Sequence, residues 1–175
     1  MMRGLLLTLL WLTGIGLAQS LPRVLPNTQA IVDLIRSSER RVLLLTPKLY
    51  GKAIANALKN QLLERGIPVL ILTEPSATTD RASLIPALSL LKRNGHPLEV
   101  RLLQHVSRTR LILDDARLVI GPLIAGSLTP GSPETRLDLD GETARREARN
   151  FLIQWRRATP WMLEVRNPQF KGGSK

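Results

Sequence analysis

The sequence predicts an α/β domain, with one mostly parallel central sheet flanked by helices. Three observations predict it. Two short, continuous apolar runs, Val42–Thr46 (VLLLT) and Val69–Thr73 (VLILT), read as strands buried on both faces. Between them, Tyr50–Gly66 carries Ile54, Ala57, Leu58, Leu62 and Leu63 at helical spacing. After a further helical stretch, Leu98–Leu103 leads into two apolar runs joined by an Asp-rich turn, which add an antiparallel pair.

Composition bounds the function. At 175 residues the chain is long enough for one domain with a real core, and 43% hydrophobic content fits a globular protein. A formal charge of +11 and a pI of about 11.3 favour polyanionic partners: nucleic acid, anionic lipid or another acidic polymer. Cysteine is absent, which excludes disulfides, thiol catalysis and a lipid-anchored cysteine. Aromatic residues are only 3%, too few for stacking platforms. No P-loop, Gly-rich dinucleotide motif or Ser-His-Asp order occurs. Two histidines without cysteine make no metal set, and no cofactor is expected.

In chain order, residues 1–18 read as a signal peptide. Arg3 supplies positive charge, Leu5–Leu17 is apolar and uncharged, and Gly16–Leu17–Ala18 places small residues where a signal peptidase reads, with cleavage before Gln19. The apolar run is short for a spanning helix of about 20 residues. Export to the periplasm or the exterior is expected, with an uncleaved membrane anchor as the alternative. Cleavage removes Arg3 and no acid, lowering the charge of +11 by one.

Pro22 and Pro26 mark residues 19–27 as a linker. Asn27 or Thr28 caps a helix with Ile31, Leu34 and Ile35 on one face, and the polar run Arg36–Arg41 ends it. Gly66 stops the next helix, and strand, helix, Arg-Gly and strand form a right-handed crossover. Glu74–Arg81 reads as a polar loop, and Ser83–Asn94 as a helix with Leu84, Leu88 and Leu91 inward, stopped by Gly95. Beyond the hairpin, Ala125–Pro133 is a loop and Arg136–Asp140 alternates like a half-exposed strand. Glu142–Ala158 is helical, with Ala144, Ala148, Phe151, Leu152 and Trp155 on one face. Arg145, Arg146, Arg149, Arg156 and Arg157 crowd its other sides. Pro160 ends it, and Trp161–Val165 adds a short strand. The domain spans 28–165, and residues 166–175 form a basic tail.

The stretch His105–Pro122 (HVSRTRLILDDARLVIGP) organises the rest. Strands Arg110–Leu113 and Leu118–Ile120 flank a turn at Asp114–Asp115–Ala116–Arg117. The spacing resembles the signature of the phospholipase D superfamily, H-x-K-x-x-x-x-D followed by a strand and G-S-x-N. Asp114 falls on the signature Asp and Gly121 on the Gly. Ser107 stands at the His, Thr109 at the Lys, Pro122 at the Ser and Ile124 at the Asn. The wider order is similar too. Leu62–Leu70 (LLERGIPVL) resembles the family's approach to its second strand, and Glu134, the strand after it and the helix with Phe151 and Trp155 follow the family's order. The resemblance covers roughly residues 28–158. It implies a phospholipase D-like half-domain, of the size that pairs as a homodimer.

In active members of that family one His attacks phosphorus, another protonates the leaving oxygen, and Lys and Asn hold phosphate oxygens. Here the resemblance implies the frame without that chemistry. A Ser107 hydroxyl is a poor nucleophile without an adjacent base, Thr109 carries no charge, and Ile124 cannot hydrogen-bond phosphate. His105 would share a strand face with Ser107 and Thr109, with Arg108 and Arg110 on the opposite face. It reads as a surface histidine or as the centre of a displaced site. His96 reads as a loop residue, and Asp114 as a turn residue rather than a catalytic one. The five arginines read either as a solvated helix face or as phosphate contacts.

The expected function is that of an exported, catalytically degenerate phospholipase D-like domain binding a polyanion (nucleic acid or anionic lipid) or a partner protein. The alternative is a phosphodiesterase, either a nuclease or a phospholipase D-type hydrolase, with a displaced site at a homodimer interface. A third reading pairs the chain with an intact relative.

Overall fold

The structure, a computed structural model, describes residues 22–126 and 134–162. Its strands are β1 (Arg23–Val24), β2 (Val42–Leu45), β3 (Val69–Thr73), β4 (Leu98–Leu102), β5 (Arg110–Leu113), β6 (Arg117–Ile120), β7 (Arg136–Asp138) and β8 (Thr159–Trp161). The helices are α1 (Thr28–Arg36), α2 (Lys52–Arg65), the single turn α3 (Ser76–Thr79), α4 (Ile85–Arg93) and α5 (Gly141–Arg157). The strands form one sheet in the order β1-β7-β6-β5-β2-β3-β4-β8.

The sheet corrects the expectation of mostly parallel pairing. Only β2–β3 and β3–β4 are parallel, and the other five neighbouring pairs are antiparallel. The parallel pairs are those joined by crossover helices. Of the others, β6 follows β5 through a tight turn, which suits antiparallel pairing, and β1 and β8 are the two edge strands.

Local chemistry sets the helix ends. The Asn27 side chain accepts the Ala30 N–H at 3.0 Å and opens α1. Gly66, at φ 63°, closes α2 in the left-handed conformation. The Asp140 side chain accepts the N–H groups of Glu142 and Thr143 at the start of α5, and its pKa is lowered chiefly by the Thr143 hydroxyl.

The sheet carries a core on each face. On one, Ile31, Ile35, Ile54, Leu58 and Leu62 pack against Val42, Leu44, Val69, Ile71 and Leu111. On the other, Ala144, Ala148, Phe151 and Trp155 of α5 cover Leu43, Leu45, Leu72 and Ile112. That is why β2 is apolar without alternation: all four of its residues are buried. Truncating any of these leucines to alanine costs about 2–5 kcal/mol, because the close-packed site collapses only partly.

Three smaller expectations change. Residues 22–25 are no linker. Arg23 and Val24 pair with Leu137 and Arg136, Leu25 is buried, and its N–H donates to the Thr135 carbonyl at 2.9 Å. The loop at Glu74–Arg81 contains α3. The last strand starts at Thr159 rather than Trp161, with Pro160 inside it. That strand is a sheet edge, where the missing N–H of proline leaves no ladder bond unmade. The expected signal peptide, the basic tail, most of the Ala125–Pro133 loop and residues 163–165 lie outside the described residues. Among the described residues no helix is long and apolar enough to cross a membrane.

Candidate functional site

The His105–Pro122 stretch is divided between two ends of the sheet. Because β5 runs antiparallel to β2, Arg110 sits beside Leu45, and Leu113 beside Val42. His105, Ser107, Thr109 and Gly121 therefore lie at the carboxyl end of the parallel strands, and Asp114 lies at their amino end. Five extended residues, about 17 Å, separate Thr109 from Asp114. Asp114 is thus kept apart from Ser107 and Thr109, whereas Thr109 and Gly121 meet, the Gly121 N–H donating to the Thr109 carbonyl at 3.2 Å.

Asp114 is built into the fold instead. Both Asp114 and Asp115 adopt left-handed φ, at 57° and 60°, as a tight hairpin turn demands. The Asp114 carboxylate accepts the Ser38 hydroxyl at 2.7 Å and the backbone N–H groups of Glu39, Arg40 and Arg41 at 3.1, 2.8 and 3.2 Å. Arg117 pairs with its other oxygen at 3.0 Å. Burial pushes the carboxyl pKa up, but the Ser38 hydroxyl and the loop N–H groups outweigh it and hold it at about 2. Asp115 in turn pairs with Arg41 at 2.6 Å. Together they fasten the α1–β2 loop to the hairpin.

Gly121 has an equally structural reason. At φ 144° it approaches Thr135 so closely that a Cβ would lie 2.5 Å from the Thr135 Cα. Pro122–Ile124 then forms one 3-10 turn, and Ile124 is fully buried in the helix-covered core. Ile124, where the resemblance implied an Asn, thus packs against apolar neighbours.

At the carboxyl end, Ser107 is exposed and makes no hydrogen bond among the described residues. Thr109 Oγ1 lies 3.5 Å from Thr46 Oγ1. Residues 103–109 form no strand, so His105, Ser107 and Thr109 do not share a strand face as expected. The chain turns here to bury Val106 against the α5 side, and the Val106 N–H donates to Glu74 Oε1 at 2.9 Å. His105 has an 80% exposed side chain, with Nδ1 3.6 Å from the same Glu74 oxygen. Arg108 is exposed, whereas Arg110 turns toward α5 and pairs with Glu147 at 2.9 Å. His96 is half-buried and lies beyond the helix, in the loop before β4.

A groove of about 470 Å³ opens beside His105. Gln104, His105, Gln154, Arg157 and Thr159 line it above Leu103. Of the five arginines singled out on α5, all exposed, only Arg157 lines this groove. Arg145, Arg146, Arg149 and Arg156 are spread along the outer sides of the helix. Among the described residues no cluster of His, Asp and Glu could hold a metal ion.

One polar cluster was not foreseen. Asp80 binds the Lys48 ammonium at 2.8 Å, the Tyr50 hydroxyl at 2.9 Å and the Ala82 N–H at 2.9 Å. Lys48 foremost lowers the Asp80 pKa to about 2, and Asp80 in turn raises that of Lys48. The cation closest in sequence to the end of β2 is thereby committed to a loop contact. The only trace in the sequence is Lys-x-Tyr after a buried strand, with nothing to name a partner thirty residues on.

Solved structures match this arrangement. Nuc of Salmonella typhimurium, a phospholipase D family member, is 18% identical, with a TM-score of 0.61 over 77% of this chain and 90% of its own. NucT from Helicobacter pylori is 18% identical, with a TM-score of 0.62 over 80% of this chain and 97% of its own. The chain has the phospholipase D fold. TrmBL2, an archaeal chromatin protein whose structure shows a mode of DNA binding, is similar at 16% identity and a TM-score of 0.59, over 86% of this chain and 57% of its own. No protein-family model and no curated protein matches the sequence. In this chain the hairpin's Asp114 and Gly121 each have the structural partner just described.

Proposed function

We propose that the chain is an exported, catalytically degenerate phospholipase D-like domain that binds nucleic acid. The observation that carries this reading is the chemistry at the signature positions. An exposed Ser107 without a base stands at the nucleophile, an uncharged Thr109 at the Lys, and a core Ile124 at the Asn. With hydrolysis unsupported, the chain's charge of +11, less the one lost with Arg3 on cleavage, and the five exposed arginines of α5 supply a sequence-independent attraction to phosphate. The likeness to TrmBL2, a chromatin protein whose structure shows a mode of DNA binding, supports nucleic acid as the polyanion.

The test is binding and turnover on one purified sample. Fluorescence anisotropy across a salt series should give micromolar or weaker, sequence-independent affinity that falls steeply with salt. Replacing Arg145, Arg146 and Arg149 with Gln should flatten the salt slope. Bis(p-nitrophenyl) phosphate, DNA and phospholipid should show no turnover above buffer. Absence of binding at low salt would sink the reading and direct attention to a protein partner. Export rests on residues 1–18, and mass spectrometry of protein from its host should find Gln19 at the amino terminus. Pairing as a homodimer rests on half-domain size and is checked by sedimentation.

A second reading has one specific observation in its favour. His105 sits beside Glu74 at the rim of a groove, as a general base and its orienting carboxylate would. Phosphodiester hydrolysis that disappears in His105→Ala would establish a displaced site.

A further inference from the structure

The geometry points to a seat for a single backbone phosphate of a nucleic acid strand, in the groove between the carboxyl end of β4 and the last turns of α5. This rests on the nucleic-acid reading and narrows it from a charged face to one place.

The lining is the first argument. Gln104, His105, Gln154, Arg157 and Thr159 all carry N–H or O–H donors, and among the described residues no carboxylate lines the groove. Phosphate oxygens accept from such groups, and the guanidinium of Arg157 adds charge to the bond. Glu74 does not line the groove: its carboxylate accepts the Val106 N–H, and it stands 3.6 Å from His105 Nδ1, too far for a hydrogen bond. The other ring nitrogen, Nε2, has no hydrogen bond among the described residues.

The second argument is how the wall is held. A helix carboxyl end is electronegative and by itself repels an anion. Here Arg101 of β4 donates to the Trp155 carbonyl at 2.9 Å, with its guanidinium 4.7 Å from the Trp155 ring centroid. That contact places a guanidinium against one of the last carbonyls of α5 and ties the turn bearing Gln154 and Arg157 to β4. Phe151 stacks on Trp155 at 5.7 Å and fixes the same turn from the core side.

The third argument is shape. Arg145 and Arg157 are about 18 Å apart along the helix axis, at about 1.5 Å per residue. Arg145, Arg149 and Arg156 share one side of α5, and Arg146 and Arg157 lie about 100° round from them. Charge on two sides of a helix beside a recess suits a flexible strand, which can wrap the helix and bend one phosphate inward. A flat bilayer would reach one side and leave the recess empty.

The experiment is anisotropy of a fluorescein-labelled single-stranded oligonucleotide at low salt. Wild type is compared with Arg157→Gln, His105→Gln and Arg145→Gln, with circular dichroism melts as the folding control. Arg157→Gln and Arg145→Gln remove the same charge from exposed positions on one helix. Arg157→Gln should weaken binding by about tenfold, as loss of the charge on a hydrogen bond to phosphate does, and His105→Gln by about threefold, since the amide keeps an N–H donor but moves it from the ring position. Arg145→Gln should weaken it by about twofold, as for a screened surface contact. Equal losses in Arg157→Gln and Arg145→Gln, with His105→Gln unchanged, would overturn the seat and leave the charged face standing. No binding by the wild type would overturn both. Tighter binding to phosphatidylglycerol vesicles than to the oligonucleotide, unaffected by His105→Gln, would overturn the seat in favour of a membrane surface.

Discussion

Asp114 Oδ1 accepts the Ser38 hydroxyl at 2.7 Å, joining residues 76 positions apart. The same oxygen gathers the N–H groups of Arg40 and Arg41, so one carboxylate organises the whole approach to β2. Asp114 holds two loops together.

Asp114→Asn should therefore act on stability and leave binding alone. Asn tolerates the left-handed turn, but it loses the charge that three N–H groups and Arg117 address. A loss of roughly 2–3 kcal/mol is expected, in the range for hydrogen bonds to a charged group. Chemical denaturation measures it, and unchanged oligonucleotide affinity at low temperature separates the two effects.

The pH dependence follows from the same group. The folded pKa of Asp114 is about 2, below its ordinary 3.8. A depressed carboxylate contributes stability that is fully present above the unfolded value and lost as pH falls through the folded one. The contribution is about 2 kcal/mol. Asp80 is lowered to about 2 as well, so wild-type stability should fall steeply between pH 4 and 2. Denaturant midpoints across that window should show a shallower slope in Asp114→Asn.

Gly121→Ala is expected to be severe. A Cβ there would meet Thr135 Oγ1 at 2.4 Å and Thr135 Cα at 2.5 Å, at φ 144°. Strain and clash together should exceed about 3 kcal/mol and reduce soluble yield. Gly95→Ala is the control. It has positive φ, 82°, but open space around it, and should cost only about 1 kcal/mol. Similar melting temperatures for the two variants would refute the close approach.

Arg110 and Glu147 are mostly buried and pair at 2.9 Å. Arg110→Met should destabilise by about 3 kcal/mol, since it leaves a carboxylate without its cation. Adding Glu147→Leu should restore most of the loss, which a double-mutant cycle reads directly.

Much of the centre of this fold was legible in the residues. VLLLT and VLILT are buried strands, Gly66 stops α2, and the arginines of α5 lie outside its apolar face. Those features depend on local periodicity and turn chemistry, which a window of residues contains. What escaped depends on distant partners. The strand Arg23–Val24 exists only because β7 pairs with it, and two residues carry no period. The direction of the outer strands followed from connections rather than composition. The turn that buries Val106 replaced an expected strand because Glu74 takes its N–H. Asp114 read correctly as a turn residue, but Ser38, its main side-chain partner, could not be named. Lys48 and Asp80 met across a loop with no local sign.

The two chain ends described here leave the sheet at opposite edges, through β1 and β8. Mechanical load drawn through them would fall on the two outermost ladders, of two and three residue pairs. Such ladders peel one pair at a time instead of resisting in shear. Freeing residues 23–27 would lengthen the tether by about 17 Å, at about 3.4 Å per residue, before α1 carried any force. The domain is thus fitted with slack at both sides, and a chain held by one end would yield there first while β2, β3 and β5 stayed packed.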